Sequence, residues 1–254
     1  MVWLAAAGGG AFVLVSLVLG PRLLALAHRT GQVPELTMGL CLLLMGGLGY
    51  PFATLGRVVT AFPEDLRGFL IGCSALCNTI GFGALLIFNW RVFRRHSVLA
   101  EAVVGAYVTA LALLVPAEAV WPGLVPSALS VEPYPGVPGY ARVLLGLSIL
   151  YWASVEAALY GRKLSRRLAL GLADAVVVDR VWLWTVAIGG ASASYTTAFV
   201  LALFGIDLPS SPFGAAIIGS LGLVSAGAAW FAFLPPVAYL RWVSSRTAPL
   251  RAAA

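Results

Sequence analysis

The sequence has few charged side chains. Asp, Glu, Lys and Arg together make up only 10% of its 254 residues, against about 25% in soluble domains. Apolar residues make up 61%. A soluble fold could not hide so much apolar surface, so lipid is expected to be the solvent for most of the chain. The composition therefore predicts an integral membrane protein.

Lysine and histidine are nearly absent, which removes several kinds of site. The sole lysine is Lys163, and the only histidines are His28 and His96, all in or beside short polar connections. A retinal Schiff base needs an amine within a span, and a bis-histidine haem needs two buried imidazoles. No glycine-rich nucleotide loop occurs. We therefore predict no cofactor, no nucleic-acid partner and no enzymatic activity, because no nucleophile and base can be paired.

Cysteine is also scarce. Cys41, Cys73 and Cys77 lie inside apolar segments rather than in loops. Cysteines in such surroundings behave as small buried hydrophobic residues. The sequence therefore predicts neither a disulfide framework nor a metal site.

The chain instead contains long apolar segments. About 20 residues, rising about 1.5 Å each, match a hydrocarbon layer of about 30 Å. Short connections between the apolar segments leave no room for a soluble domain. The prediction is one domain over residues 1–254, an all-α seven-transmembrane helix bundle. Its predicted helices cover about 3–20, 36–56, 68–90, 98–121, 141–160, 180–204 and 213–240.

The basic residues are distributed unequally between the two ends of these segments. Only Arg57, Arg67 and Arg142 fall on one side. By the positive-inside bias, the richer side faces the cytoplasm, with the N-terminus outside and the C-terminus inside. We expect a multi-pass protein of a bacterial inner (plasma) membrane, with the lipid bilayer as its main partner. The remaining thirteen of the sixteen basic residues are Arg22, Arg29, Arg91, Arg94, Arg95, Arg162, Lys163, Arg166, Arg167, Arg180, Arg241, Arg246 and Arg251.

Polar side chains recur at helical spacing within the spans. Residues four apart share one face of a helix, and a polar group inside a span faces protein, water or a ligand. The third, fifth and sixth segments each carry such groups. The alternative is that they form only interhelical hydrogen bonds. The candidate ligand pocket consists of Ser74, Asn78, Ser148, Trp152, Glu156, Ser192, Tyr195 and Thr196.

A second candidate site is an ionic cluster at the cytoplasmic edge. It comprises Arg91, Glu101, Glu156, Asp179 and Arg180. We expect Asp179 or Glu101 to pair with Arg91, and Arg180 to pair with Glu156. Such a lock is either a switch or a static staple with snorkelling side chains.

Short motifs resemble those of uncharacterised bacterial seven-span proteins. The matching stretches read PEL at 34–36, GGLGY at 46–50, FNWRVFR at 88–94, GLAD at 171–174 and DRVWLW at 179–184. The chain is also similar to the seven-helix sensory modules that precede bacterial histidine kinases. The seven-helix order is similar to that of G-protein-coupled receptors, and the stretch PVAY at 236–239 lies near the end of the last helix. The resemblance implies a seven-helix fold and a sensory role.

The sequence thus favours a receptor-like sensor that binds a small apolar or amphipathic ligand, or a lipid, within the bundle. It would signal to a separate membrane or cytoplasmic protein. Two alternatives stay open: a transporter or channel for a small solute or ion, and a structural subunit of a membrane complex.

Overall fold

The computed structural model describes residues 2–120, 136–206 and 211–245, with side chains placed over 3–114, 140–206 and 211–245. All regular structure in these ranges is helical. The helices are α1 (Val2–Thr30), α2 (Val33–Cys41), a π-helical segment (Leu42–Gly49), α3 (Tyr50–Val58), α4 (Glu64–Phe93), α5 (Val98–Val120), α6 (Gly136–Ala169), α7 (Ala175–Leu203), α8 (Pro212–Phe233) and α9 (Val237–Ser245).

Six of the described helical stretches are long and apolar enough to cross a membrane. One of them is the continuous stretch Val33–Val58, formed by α2, the π-helical segment and α3. The prediction of an all-helical, multi-pass membrane protein is confirmed at this level. The other five are Trp3–Thr30, Glu64–Phe93, Tyr140–Ala169, Ala175–Leu203 and Pro212–Phe233.

Several helices extend past the predicted apolar segments. The first predicted segment, 3–20, continues to Thr30, and the fifth, 141–160, continues to Ala169. Arg, Leu and Ala are strong helix formers, so the helix outlasts the purely apolar run. The last predicted segment, 213–240, is broken instead. Since Pro235 and Pro236 cannot donate backbone hydrogen bonds, α8 ends at Phe233 and α9 begins at Val237.

Six helical spans form a closed ring, and α5 packs beside it. In order around the ring come α1, the α2–α3 span, α4, α6, α7 and α8, which returns to α1. The ring encloses a core that includes the fully buried Leu85, Leu86, Ile149 and Leu150. Helix α5 packs against α4 and α6 through one face, on which Ala100, Val104 and Leu111 are buried.

Two pairs of helices run parallel. Phe82 of α4 lies against Gly146 of α6, and Phe93 of α4 makes an edge-to-face contact with Tyr160 of α6. The contacts progress in the same chain direction on both helices, so α4 and α6 are parallel.

Helices α1 and α8 are also parallel. Gly219 meets the backbone of Leu4, and Gly222 meets Gly8. This contact has almost no side-chain space. A Cβ atom built on Gly219 would overlap the carbonyl oxygen of Leu4, so small residues set the distance between these two helices.

The π-helical segment precedes a proline within the second span. In a regular α-helix, the ring of Pro51 would collide with the carbonyl of Gly47. The wider turns over Leu42–Gly49 change the register before Pro51, and the N–H of Tyr50 donates to the carbonyl of Met45, five residues back. Small side chains also let α1 approach closely, since a Cβ on Gly46 would overlap the hydroxyl of Ser16. π-Helical turns within α-helices often mark functional positions.

Candidate functional site

Glu156 is the central polar residue of the site. Its position on α6 leaves the residue only 8% exposed. Oε1 accepts a hydrogen bond from Nε1 of Trp152, one turn earlier on the same helix, at 3.2 Å. The same oxygen lies 2.7 Å from Nε of Arg94. A buried carboxylate needs such partners, because removing it from water without them costs several kcal/mol.

Arg94 reaches Glu156 from the end of α4. It is the C-cap residue of that helix, and its backbone has left the helical conformation. Three residues later, Ser97 caps α5 by accepting a hydrogen bond from the N–H of Ala100 at 3.2 Å. The turn between α4 and α5 therefore holds the guanidinium beside α6. Half of the Arg94 side chain stays exposed, whereas only 11% of the Glu156 side chain does.

These two charged groups lie at one end of a groove between α5 and α6. This polar part of the groove has a volume of about 370 Å³. Tyr107 and Ser148 form its inner limit, and the Ser148 hydroxyl lies 3.1 Å from the Tyr107 hydroxyl. Its lining residues are Arg94, Ser97, Leu99, Ala100, Val103, Tyr107, Ser148, Trp152 and Glu156.

Beyond Tyr107 and Ser148, the groove continues as an apolar channel. This apolar part has a volume of about 660 Å³. Because both parts share Tyr107 and Ser148, they form one continuous surface with a charged end and an apolar end. Its lining residues are Tyr107, Ala110, Leu113, Leu114, Ala141, Leu144, Leu145 and Ser148. We call the whole surface the α5–α6 groove.

The structure places three of the eight predicted pocket residues in this groove: Ser148, Trp152 and Glu156. It places three others in a hydrogen-bonded chain between α4, α7 and the π-helical segment. Ser74 donates to the carbonyl of Gly49 at 2.7 Å, and Asn78 donates to the carbonyl of Ser74 at 2.8 Å. Tyr195 donates to Oδ1 of Asn78 at 3.2 Å. This chain ties the α2–α3 span, α4 and α7 together.

The remaining two predicted pocket residues connect α6 with α7. The hydroxyl of Ser192 lies 3.0 Å from that of Ser154, and the hydroxyl of Thr196 lies 2.9 Å from that of Tyr151. Ser192 and Thr196 also donate to carbonyls four residues back on their own helix. These hydroxyls therefore link the groove-lining helix α6 to its neighbour.

The inner ionic cluster is arranged differently from the expected pairs. Glu156 pairs with Arg94 rather than with Arg180. The physical reason is depth. Since Ser154 faces Ser192, Glu156 lies level with residues near 190, and Arg180 is ten residues, or about 15 Å, nearer the end of the bundle at which α7 begins.

The other members of the cluster have separate surroundings. Asp179 accepts a hydrogen bond from the Tyr239 hydroxyl at 2.6 Å, which joins α7 to α9. Arg91 packs over the ring of Trp90 at 4.5 Å. Glu101 and Arg180 are exposed, and within the described residues neither forms an ion pair.

Sequence reasoning missed the role of Arg94. Three arginines close together, at positions 91, 94 and 95, are equivalent by sequence, and only the parallel packing of α4 and α6 selects Arg94 as the partner of Glu156. Tyr107 is a further groove residue outside the eight predicted pocket residues. Its signal is a tyrosine within a largely apolar helix, where a hydroxyl needs a partner.

A comparison with protein-family models, curated proteins and solved structures gave no match to this chain.

Proposed function

We propose that this protein is a receptor-like membrane sensor of seven spans, which binds an amphipathic molecule in the α5–α6 groove. The observation that carries the proposal is the position of Glu156, a buried and paired carboxylate, at the charged end of a groove whose other end is apolar. Ligand sites are commonly apolar clefts of about 300–1,000 Å³ with a few placed polar groups. An ionisable group within a span is itself an indication of function.

The parallel packing of α4 and α6 supports α5 as a span in addition to the six long apolar stretches. The chain leaves α4 at the end near Arg94 and enters α6 at the opposite end of the bundle, so it must travel back along the bundle between them. Helix α5 has 23 residues, a length of about 35 Å, and makes this return. The parallel pair α1 and α8 is likewise expected of a first and a seventh span.

The orientation we propose follows from charge. Helices α1, α4 and α6 end, and α7 begins, at the end of the bundle that carries Arg29, Arg94, Arg167 and Arg180. We call this the basic end, and by the positive-inside bias it faces the cytoplasm. Two further arginines that support this orientation, Arg246 and Arg251, lie outside the described residues. The membrane would be a bacterial inner membrane.

A path for signalling runs from the groove to the basic end. A ligand beside Trp152 and Glu156 touches α6, and the hydroxyl pairs to Ser192 and Thr196 join α6 to α7. The bond between Asp179 and Tyr239 then joins α7 to α9. Helix α9 presents exposed side chains, including Trp242, to a cytoplasmic or membrane partner. A small shift of α7 would therefore reach a surface that a partner protein can read.

A transporter is the alternative function. It requires a water path across the bundle with an ionisable group near its middle. In the described part of the ring, the centre is filled by buried apolar side chains such as Leu85, Leu86 and Ile149. We therefore favour a binding protein.

Blocking the apolar part of the groove tests the proposal. Leu144 lines this part and is 54% exposed. We expect Leu144→Trp to weaken binding of a dansyl-labelled single-chain amphiphile by about tenfold or more, since overfilling a packed site costs about 1–3 kcal/mol. The measurement is a fluorescence titration of the purified protein in detergent.

Val155→Trp is the matched control, because Val155 is also on α6, is also 54% exposed and does not line the groove. Equal affinities of the two variants would reject the groove as the binding site. Ligand-dependent solute flux in proteoliposomes, without any change at α9, would favour the transporter instead.

A further inference from the structure

The unequal exposure of Arg94 and Glu156 restricts which head group the groove can accept. A purely anionic head group that took Arg94 away would leave the carboxylate of Glu156 buried and unpaired. Breaking a buried ion pair in this way is strongly unfavourable. The anion would also lie next to a carboxylate of the same sign. A head group that carries only negative charge is therefore disfavoured at this site.

Both charged residues keep unused hydrogen-bonding atoms. Arg94 is bonded through Nε, and within the described residues its two Nη atoms have no partner. Glu156 uses Oε1 for both of its bonds, and Oε2 accepts none from the described residues. A molecule that brings a donor to Oε2 and an acceptor to the Nη atoms would add to this pair without breaking it.

The aromatic lining favours an ammonium group as that donor. Trp152 and Tyr107 both line the polar part of the groove, and Trp152 is the one beside Glu156, to which it donates at 3.2 Å. Aromatic rings attract cations held within about 6 Å of their faces, and the attraction increases where water is excluded. A carboxylate beside the indole of Trp152 is therefore suited to a cationic nitrogen with N–H donors.

The groove as a whole is long enough for a head group with one acyl chain. From Glu156 to Ala141 along α6 is fifteen residues, or about 22 Å, which exceeds one leaflet of a hydrocarbon core of about 30 Å. Neighbouring helix axes lie about 8–10 Å apart, so the groove between them is one chain wide. Exposed Leu113 and Leu144 leave its side open towards lipid.

We infer that the ligand is a single-chain phospholipid with an ammonium–phosphate zwitterion as its head group. The ammonium donates to Oε2 of Glu156, the phosphate accepts from the Nη atoms of Arg94, and the acyl chain fills the apolar part up to Leu113. This inference rests on the proposed binding function and specifies the chemical class of its ligand.

A competition between two lysophospholipids tests the head group. Lysophosphatidylethanolamine and lysophosphatidylglycerol of equal chain length share the phosphate and the acyl chain, but only the first carries an ammonium group. Native mass spectrometry of the whole protein in an equimolar mixture counts the bound molecules of each. We expect a preference for the ethanolamine lipid of about tenfold, which corresponds to one charge-assisted hydrogen bond.

Glu156→Gln keeps the shape of the side chain and the bond from Trp152, and we expect it to reduce the preference to about one. Glu101→Gln removes the same charge from an exposed position outside the groove and should keep the preference. Equal binding of both lipids to the unmodified protein, or a preference that survives Glu156→Gln, would overturn the inference. If neither lipid shows binding that Leu144→Trp weakens, the proposed function fails as well, so the two failures are distinguishable.

Discussion

At the scale of single residues, the pairing of Glu156 with Arg94 is the most consequential contact. The sequence shows that Trp152 and Glu156 share a face, because they are four residues apart. It does not show which of the neighbouring arginines reaches them. That choice depends on where α4 ends, since the C-cap position turns Arg94 towards α6 while Arg91 lies over Trp90.

Removing Arg94 should reduce stability more than is usual for a side chain that is half exposed. We expect Arg94→Ala to lower the free energy of unfolding by about 1–3 kcal/mol, because it leaves a buried carboxylate short of a donor. Thermal unfolding in detergent would measure this. Arg95→Ala removes an exposed arginine with no ion pair in the described residues, and should change stability by less than about 0.5 kcal/mol.

The double variant Arg94→Ala with Glu156→Gln provides the control. It removes both charges together, and we expect it to be more stable than Arg94→Ala alone. A double variant that is less stable than either single one would show that the pair is not the source of the effect.

At the scale of elements, glycine positions decide how closely the helices approach. In α8, Gly219 lies against the backbone of α1, whereas Gly227 has nothing within 4 Å of a Cβ built on it. The sequence shows both as glycines in an apolar helix. Only the packed structure distinguishes the glycine that is required for contact from the one that is not.

This difference predicts opposite effects of one substitution. Gly219→Ala should destabilise the protein by about 1–3 kcal/mol, because the new methyl group overlaps the carbonyl of Leu4 and must separate α1 from α8. Gly227→Ala should be neutral or stabilising by up to about 1 kcal/mol, because alanine favours a helix and meets no obstacle. Melting temperatures of the two variants compare them directly, and similar values would contradict the close packing of α1 on α8.

At the scale of the whole molecule, the parallel helix pairs connect the fold with the proposed topology. Two parallel spans have an odd number of spans between them. The proposed seven-span topology meets this condition, because it places one helix between α4 and α6 and five between α1 and α8. In that topology α5 is the helix between α4 and α6, although it lies beside the ring. Its position explains why it can line a groove with α6 while the six other spans close around an apolar core.

Labelling of single cysteines tests the orientation. With Cys41, Cys73 and Cys77 replaced by alanine, Arg95→Cys places a thiol at the basic end and Thr60→Cys places one in the turn between α3 and α4. A membrane-impermeant maleimide added to intact cells should label Thr60→Cys and not Arg95→Cys. Permeabilised cells should label both. The reverse pattern in intact cells would invert the proposed orientation.

The sequence by itself determined that this is an all-helical membrane protein, because apolar runs of about 20 residues have no other stable form in lipid. It also identified Ser148, Trp152 and Glu156 as one helical face, because spacing along a single helix is a local property. Only the tertiary structure decided that Arg94 is the partner of Glu156, that Asn78 and Tyr195 bond to each other, and that the groove lies between α5 and α6. These are contacts between helices far apart in sequence, and their depth and facing depend on how the whole bundle packs.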